Sequence, residues 1–194
     1  QRPMNESDLT SALHRTAACT PFSLLKRRMT MKLDIQYSPS EGIEGISCEE
    51  MEKIKDKLLV FLKSIDKIKE GIDTLQISLC SVDRDKMQTL NKQYRSLDEP
   101  TDVLSFPLWE EEGEFSPPEG WSLLPLGDIV LCPAYIADHA REENLQYNSE
   151  LLLMIIHGLL HLVGYDHDTP EKKSAMWSVQ GKIHANCAED TSIF

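Results

Sequence analysis

Hydrophobic and polar positions fall into a regular pattern only from Met31 onward. Lys32 to Ser38 (KLDIQYS) and Thr74 to Val82 (TLQISLCSV) alternate apolar with polar side chains, the period of a half-buried strand. Between them Met51, Ile54, Leu58, Phe61, Leu62 and Ile65 recur at helical spacing behind a Ser47/Glu50 pair that resembles a capping box. Asp83 is placed to cap a second helix carrying Met87, Leu90 and Tyr94. A third strand is expected over Val103 to Leu108. Trp109 to Leu124, with five Glu, two Pro and two Gly, reads as an irregular acidic loop. Ile129 to Cys132 is a short apolar strand, and Pro133 opens the helix after it. The most hydrophobic helix is expected over 149–163, from a Ser149 cap to Gly164, and a last one after Thr169-Pro170-Glu171. The order β-α-β-α-β-β-α-α-α predicts an α+β fold, a mixed α/β sandwich of a small mixed sheet and about five helices.

Residues 1–30 break this pattern. They carry Arg2, Arg15, Lys26, Arg27 and Arg28 against Glu6 and Asp8, a local balance of +3 in a chain whose total is −12. The segment reads as a disordered extension or an upstream segment before Met31, with an organelle transit peptide as the alternative. Residues 31–194 are expected to form one domain. The total of 20 Lys+Arg against 32 Asp+Glu argues against a protein that holds polyanions by a broad positive surface. The five cysteines (Cys19, Cys48, Cys80, Cys132, Cys187) include no C-x-x-C pair, so free thiols in a reducing compartment are expected, cytoplasm or organelle matrix. The longest apolar run, Leu151 to Ile156, falls far short of the ~20 residues a membrane span needs, so no membrane partner is expected.

The chemistry concentrates in His157 to His167, HGLLHLVGYDH. His157 and His161, four residues apart, lie on one face of a helix about one turn from each other. Gly164 can take the positive φ that ends the helix, and His167 can then swing back to the same point. Three neutral imidazoles with an open fourth position fit catalytic zinc, although nickel, copper and iron accept such sites too. The spacing is that of metzincin proteases with one omission, because Gly158 stands where those enzymes carry the Glu that serves as general base. That disfavours a protease. Asp166 is either a carboxylate that orients a ring or water, or a turn former. Asp128 either caps a turn or steadies an imidazole. Arg95, ahead of the rigid Asp98-Glu99-Pro100-Thr101-Asp102 turn, either grips a phosphate or pairs with Asp98 or Asp102. Ser105 either meets substrate or faces the core.

HGLLHLVGYDH resembles the signature of the YbeY family of bacterial and organellar rRNA maturation factors. Asn91 to Pro107 (NKQYRSLDEPTDVLSFP) and Leu126 to Cys132 (LGDIVLC) resemble two further blocks of that family, so the likeness covers roughly Met31 to Cys187. It implies a single-strand-directed, metal-dependent endoribonuclease acting in 16S-type rRNA 3′-end maturation and ribosome quality control. Zinc would be held by His157, His161 and His167, and Arg95 matches the family's characteristic arginine. The implied partners are ribosomal RNA and the small ribosomal subunit, with a small-subunit ribosomal protein and an assembly GTPase. The competing reading is a ribosome-assembly or RNA-binding factor whose metal is structural. With Arg84, Lys86 and Lys92 on the helix before Arg95, the expected picture is an acidic protein with one local positive cleft.

Overall fold

The computed structural model describes residues 31–38 and 48–188, with the side chains of Cys48, Glu50 and Ala188 outside that description. The proposed Ser47 cap and the basic 1–30 segment therefore lie outside the described residues. Within them the elements are β1 Lys32–Ser38, α1 Cys48–Leu62, β2 Thr74–Ser81, α2 Arg84–Arg95, β3 Val103–Pro107, β4 Glu110–Glu111, β5 Glu114–Phe115, β6 Leu123–Leu131, α3 Pro133–Glu142, α4 Tyr147–Leu162 and α5 Pro170–Ala188. The expected α+β class holds: a mixed four-stranded sheet packed with five helices.

The sheet order is β1-β2-β6-β3, with β1, β2 and β6 parallel and β3 antiparallel to β6. Strand alternation sends Leu33, Ile35, Leu75, Ile77 and Leu79 to one face, where Met51, Ile54, Leu58 and Leu62 of α1 meet them. There α4 packs on β3 and β6, and α5 lies against α4 and α1. Each such aliphatic side chain taken out of water contributes about 1.5–3 kcal/mol before ordering costs. A smaller cluster of Met87, Leu104, Val130 and Cys132 sits under α2 on the other face. The Asp83 cap forms as expected, its carboxylate accepting from the Lys86 amide at 2.8 Å.

Three expectations need correction. The acidic 109–124 stretch is not wholly irregular: it holds the β4–β5 hairpin, and Phe115 is buried. Trp109 stacks edge-on against Trp121 and donates its indole N–H to the Pro125 carbonyl, ordering the same stretch. Next, β6 begins at Leu123 rather than Ile129, because Leu123 to Pro125 pair with Thr74 to Gln76 across a bulge at Leu126. Gly127 follows with φ +144, and a Cβ there would lie 2.2 Å from the Phe106 carbonyl oxygen, so only glycine lets β3 approach. Finally, α4 starts two residues before Ser149, whose hydroxyl lies 3.1 Å from His184 Nε2 on α5 instead of capping the helix.

Candidate metal centre

Helix α4 carries the candidate site and is pressed close against the sheet. Leu152, Ile156, Leu159 and Leu160 are essentially fully buried on it. Gly158 makes the approach possible, since a Cβ there would sit 2.9 Å from Ile129 Cγ2 and 3.1 Å from Ser105 Oγ. Position 158 therefore points into the packed sheet. The missing glutamate of the protease motif has no room there.

His157 and His161 project from this helix toward a cleft. The helix then ends as the sequence predicts: Gly164 takes φ +87, its N–H donates to His161 O at 3.1 Å, and Tyr165 N–H donates to Leu160 O at 3.0 Å. A Cβ on Gly164 would meet Phe115 Cβ at 2.8 Å and its backbone nitrogen at 2.9 Å, so the small hairpin is packed on this turn. Asp166 forms the next bend by accepting from the His167 amide at 2.7 Å, which favours the turn-forming alternative. His167 is thereby returned to its partners. The three ring centroids are 4.8, 5.1 and 5.5 Å apart, and one nitrogen from each ring can be chosen so that all lie within 4.8 Å of one another.

The electrostatics at His157 and His161 suit a cation better than protons. Burial lowers the His157 pKa, and burial followed by the neighbouring rings pushes His161 down to about 4, so both stand neutral at pH 7. The two Nε2 atoms face each other at 3.2 Å. His157 Nδ1 lies 3.0 Å from Gln180 Oε1, and a carboxamide oxygen can only accept, so the proton sits on Nδ1 and the Nε2 lone pair is presented to the cleft. Neutral nitrogen donors, one with its tautomer fixed from behind, fit a divalent transition metal.

Arg95 ends α2 and borders the same cleft, a space of about 560 Å³ also lined by Tyr94, Asp102, Ser105, Phe106 and Asp166. Neither suggested structural partner engages it: Asp98 is held by Lys92 at 2.6 Å and by Gln88, and Asp102 accepts from Thr101 and the Val103 amide. Asn91, buried one turn earlier, donates to Glu99 O at 2.8 Å and ties down the loop that follows. Ser105 is half-buried, borders the cleft and fills the space opposite Gly158. Asp128 is exposed on the sheet face opposite Ile129 and steadies no imidazole. The suggested basic helpers are also partly committed, Lys92 to Asp98 and Arg84 to Asp138 across to α3. The described cysteines Cys80, Cys132 and Cys187 form no disulfide, and burial raises their thiol pKa values.

Two residues escaped the sequence reading. Gln180 is one; its signal is a polar residue, buried, within the apolar α5 stripe of Met176, Ile183 and Cys187. Trp177 is the other, its ring centroid 6.0 Å from that of His157 and 5.5 Å from that of His167.

Comparison with known proteins agrees with this geometry. The Endoribonuclease YbeY family model matches residues 37–188. The Endoribonuclease YbeY of Thermotoga maritima is 37% identical over 157 residues, covering 76% of this chain and 93% of its own. That of Persephonella marina is 39% identical over 127 residues, 64% of this chain and 79% of its own. The solution structure of TM1509 from Thermotoga maritima superimposes with a TM-score of 0.50 at 32% identity, over 81% of this chain and 97% of that one. The buried helix with its paired histidines, the glycine turn that brings back the third, and the match over 37–188 converge on one conclusion: the chain belongs to the YbeY endoribonuclease family.

Proposed function

We propose that this chain is a single-strand-directed endoribonuclease in which His157, His161 and His167 hold one divalent ion, zinc first, and Arg95 stabilises the phosphate under attack. The observation that carries the reading is the meeting, in one cleft, of three converging imidazoles with a guanidinium that makes no ion pair among the described residues. The chemistry such an ion supplies is Lewis-acid polarisation of a phosphoryl oxygen. Arg95 would hold the phosphate through paired N–H donors and remain charged at any working pH. Gln180 would keep His157 in the donor tautomer. Gly158 offers no proton acceptor, so the pull on the attacking oxygen's proton must come from elsewhere in the cleft.

In this reading the substrate is ribosomal RNA of the small subunit, in 16S-type 3′-end maturation and quality control, in cytoplasm or organelle matrix. A charge of −12 keeps affinity for free RNA modest, so a small-subunit ribosomal protein and an assembly GTPase are the partners expected to supply docking. The test is cleavage of single-stranded RNA by highly purified protein alongside metal analysis. His157→Ala should lose both the ion and cleavage. Cleavage that survives without the ion overturns the reading, and an ion retained by wild-type protein that leaves RNA intact favours the assembly-factor alternative. The products identify the nucleophile: a 2′-hydroxyl expels the 5′-oxygen and leaves a 2′,3′-cyclic phosphate, whereas water leaves a phosphomonoester.

A further inference from the structure

A large aromatic side chain beside a hydrolytic centre has two uses, to keep water off the ligands or to hold part of the substrate. Trp177 stands against the rings of His157 and His167, yet it is 43% exposed. A side chain serving only as a shield gains nothing from keeping that much apolar surface in water. Its ring is approached by Lys173, one turn earlier on α5, whose ammonium is 5.2 Å from the ring centroid. Lys173 makes no ion pair among the described residues, unlike Lys172, which is bound to Asp168. The ring is thus covered there only by a long, movable surface side chain, which an incoming planar group can displace.

The cleft itself holds a second exposed aromatic. Tyr94 is 57% exposed, stands edge-on to Phe106 at 4.9 Å between centroids, and is followed directly by Arg95. Tyr94 and Arg95 line the cleft with the three imidazoles, and Trp177 stands against two of those rings with Lys173 over its face. In a chain of net charge −12, two exposed aromatics and two cations without an ion pair among the described residues, gathered around one imidazole cluster, suit the alternation of base and phosphate along a nucleic acid strand.

We propose that Trp177 is the stacking platform for one unpaired nucleobase next to the scissile phosphate, with Lys173 taking the adjoining phosphate; this rests on the endoribonuclease reading above. A base in a duplex has both faces covered by its neighbours and cannot lie on an indole without being unstacked. The platform therefore selects single strands by the energetics of stacking and tolerates any sequence, since every base has a π face.

The test measures binding separately from cleavage. Full-length, zinc-loaded protein is titrated with a short single-stranded 2′-O-methyl oligoribonucleotide in which one abasic residue is moved along the strand. For wild-type protein one position should lose affinity about ten- to hundredfold. Trp177→Ala should weaken the intact strand by a similar factor and flatten that positional dependence, while Trp177→Phe keeps most of it and both variants retain zinc. A 2-aminopurine at the sensitive position should be quenched by wild-type protein and not by Trp177→Ala. An abasic profile unchanged by Trp177→Ala overturns the proposal, as does loss of zinc from that variant, which would make the indole a shield. RNA cleavage is scored independently: protein that cleaves with a Trp177-independent profile sinks only the platform, and protein with a Trp177-dependent profile that does not cleave sinks only the nuclease reading.

Discussion

The carboxamide oxygen of Gln180 sits 3.0 Å from Nδ1 of His157, behind the ring, while Nε2 on the other edge faces Nε2 of His161 at 3.2 Å. One hydrogen bond from α5 thus determines which nitrogen of a ligand candidate on α4 is available. The carboxamide is buried, so its loss cannot be replaced by bulk water.

Replacing it isolates that contribution. Gln180→Leu should weaken zinc binding about ten- to hundredfold, the usual cost of removing a group that orients a ligand, with little change in fold. Competition against a chromophoric chelator measures it, and Gln180→Glu should recover most of the loss because a carboxylate accepts the same proton. Equal zinc affinity for wild-type and Gln180→Leu proteins would leave the contact merely structural.

Arg95 is expected to separate metal binding from turnover. Arg95→Ala should keep its ion and its melting temperature, because the side chain is exposed and makes no ion pair among the described residues. RNA cleavage should fall by about two orders of magnitude, the scale seen when one preorganised donor to a developing charge is removed. Arg95→Lys should restore only part, since an ammonium cannot grip two oxygens side by side. Unchanged turnover in Arg95→Ala would return this residue to the surface.

Gly164 and Phe115 provide a stability test. Gly164→Ala puts a Cβ into a left-handed backbone and within 2.9 Å of the Phe115 backbone nitrogen, which cannot move without disturbing the hairpin. The combined strain and overpacking should lower unfolding free energy by about 2–4 kcal/mol, read by urea denaturation. Gly71→Ala is the control: its φ is +101 but nothing lies within 4 Å of the added carbon, so strain alone should show.

The pH dependence of the metal-free protein follows from the same burial. His157 and His161 have folded-state pKa values below the ordinary 6.5, His161 at about 4, so the unfolded chain takes up protons first as pH falls. Their contribution is intact above pH 6.5, declines between 6.5 and about 4, and is gone below that window. Chelator-treated protein should therefore melt lower at pH 5 than at pH 7, and a His157→Phe/His161→Phe double variant should lose part of that slope.

Much of this was legible because its causes are local. The Asp83 cap, the alternation of β1 and β2, the i, i+4 histidines and the glycine that turns the chain after α4 are all written within a few consecutive residues. What escaped depends on residues far apart in sequence. Two-residue strands rich in Glu have no apolar period, and only Phe115, seated against Gly164, betrays the hairpin. Ser149 looked like a cap because capping is a local rule, while its partner His184 arrives from α5. Gln180 lies well beyond the histidine motif, and its proximity to His157 exists only once α5 has packed on α4.

The burial of α4 has one more consequence. Leu152, Ile156, Leu159 and Leu160 lock that helix against sheet and neighbours through apolar packing, which places two of the three imidazoles as the core forms. Folding and the proposed charging of the site would then be separate events, unlike small zinc modules that stay unfolded until they are loaded. In the proposed metal-dependent reading, such a protein can be emptied and refilled without losing its shape, and its working fraction at any moment tracks the free-ion supply of its surroundings.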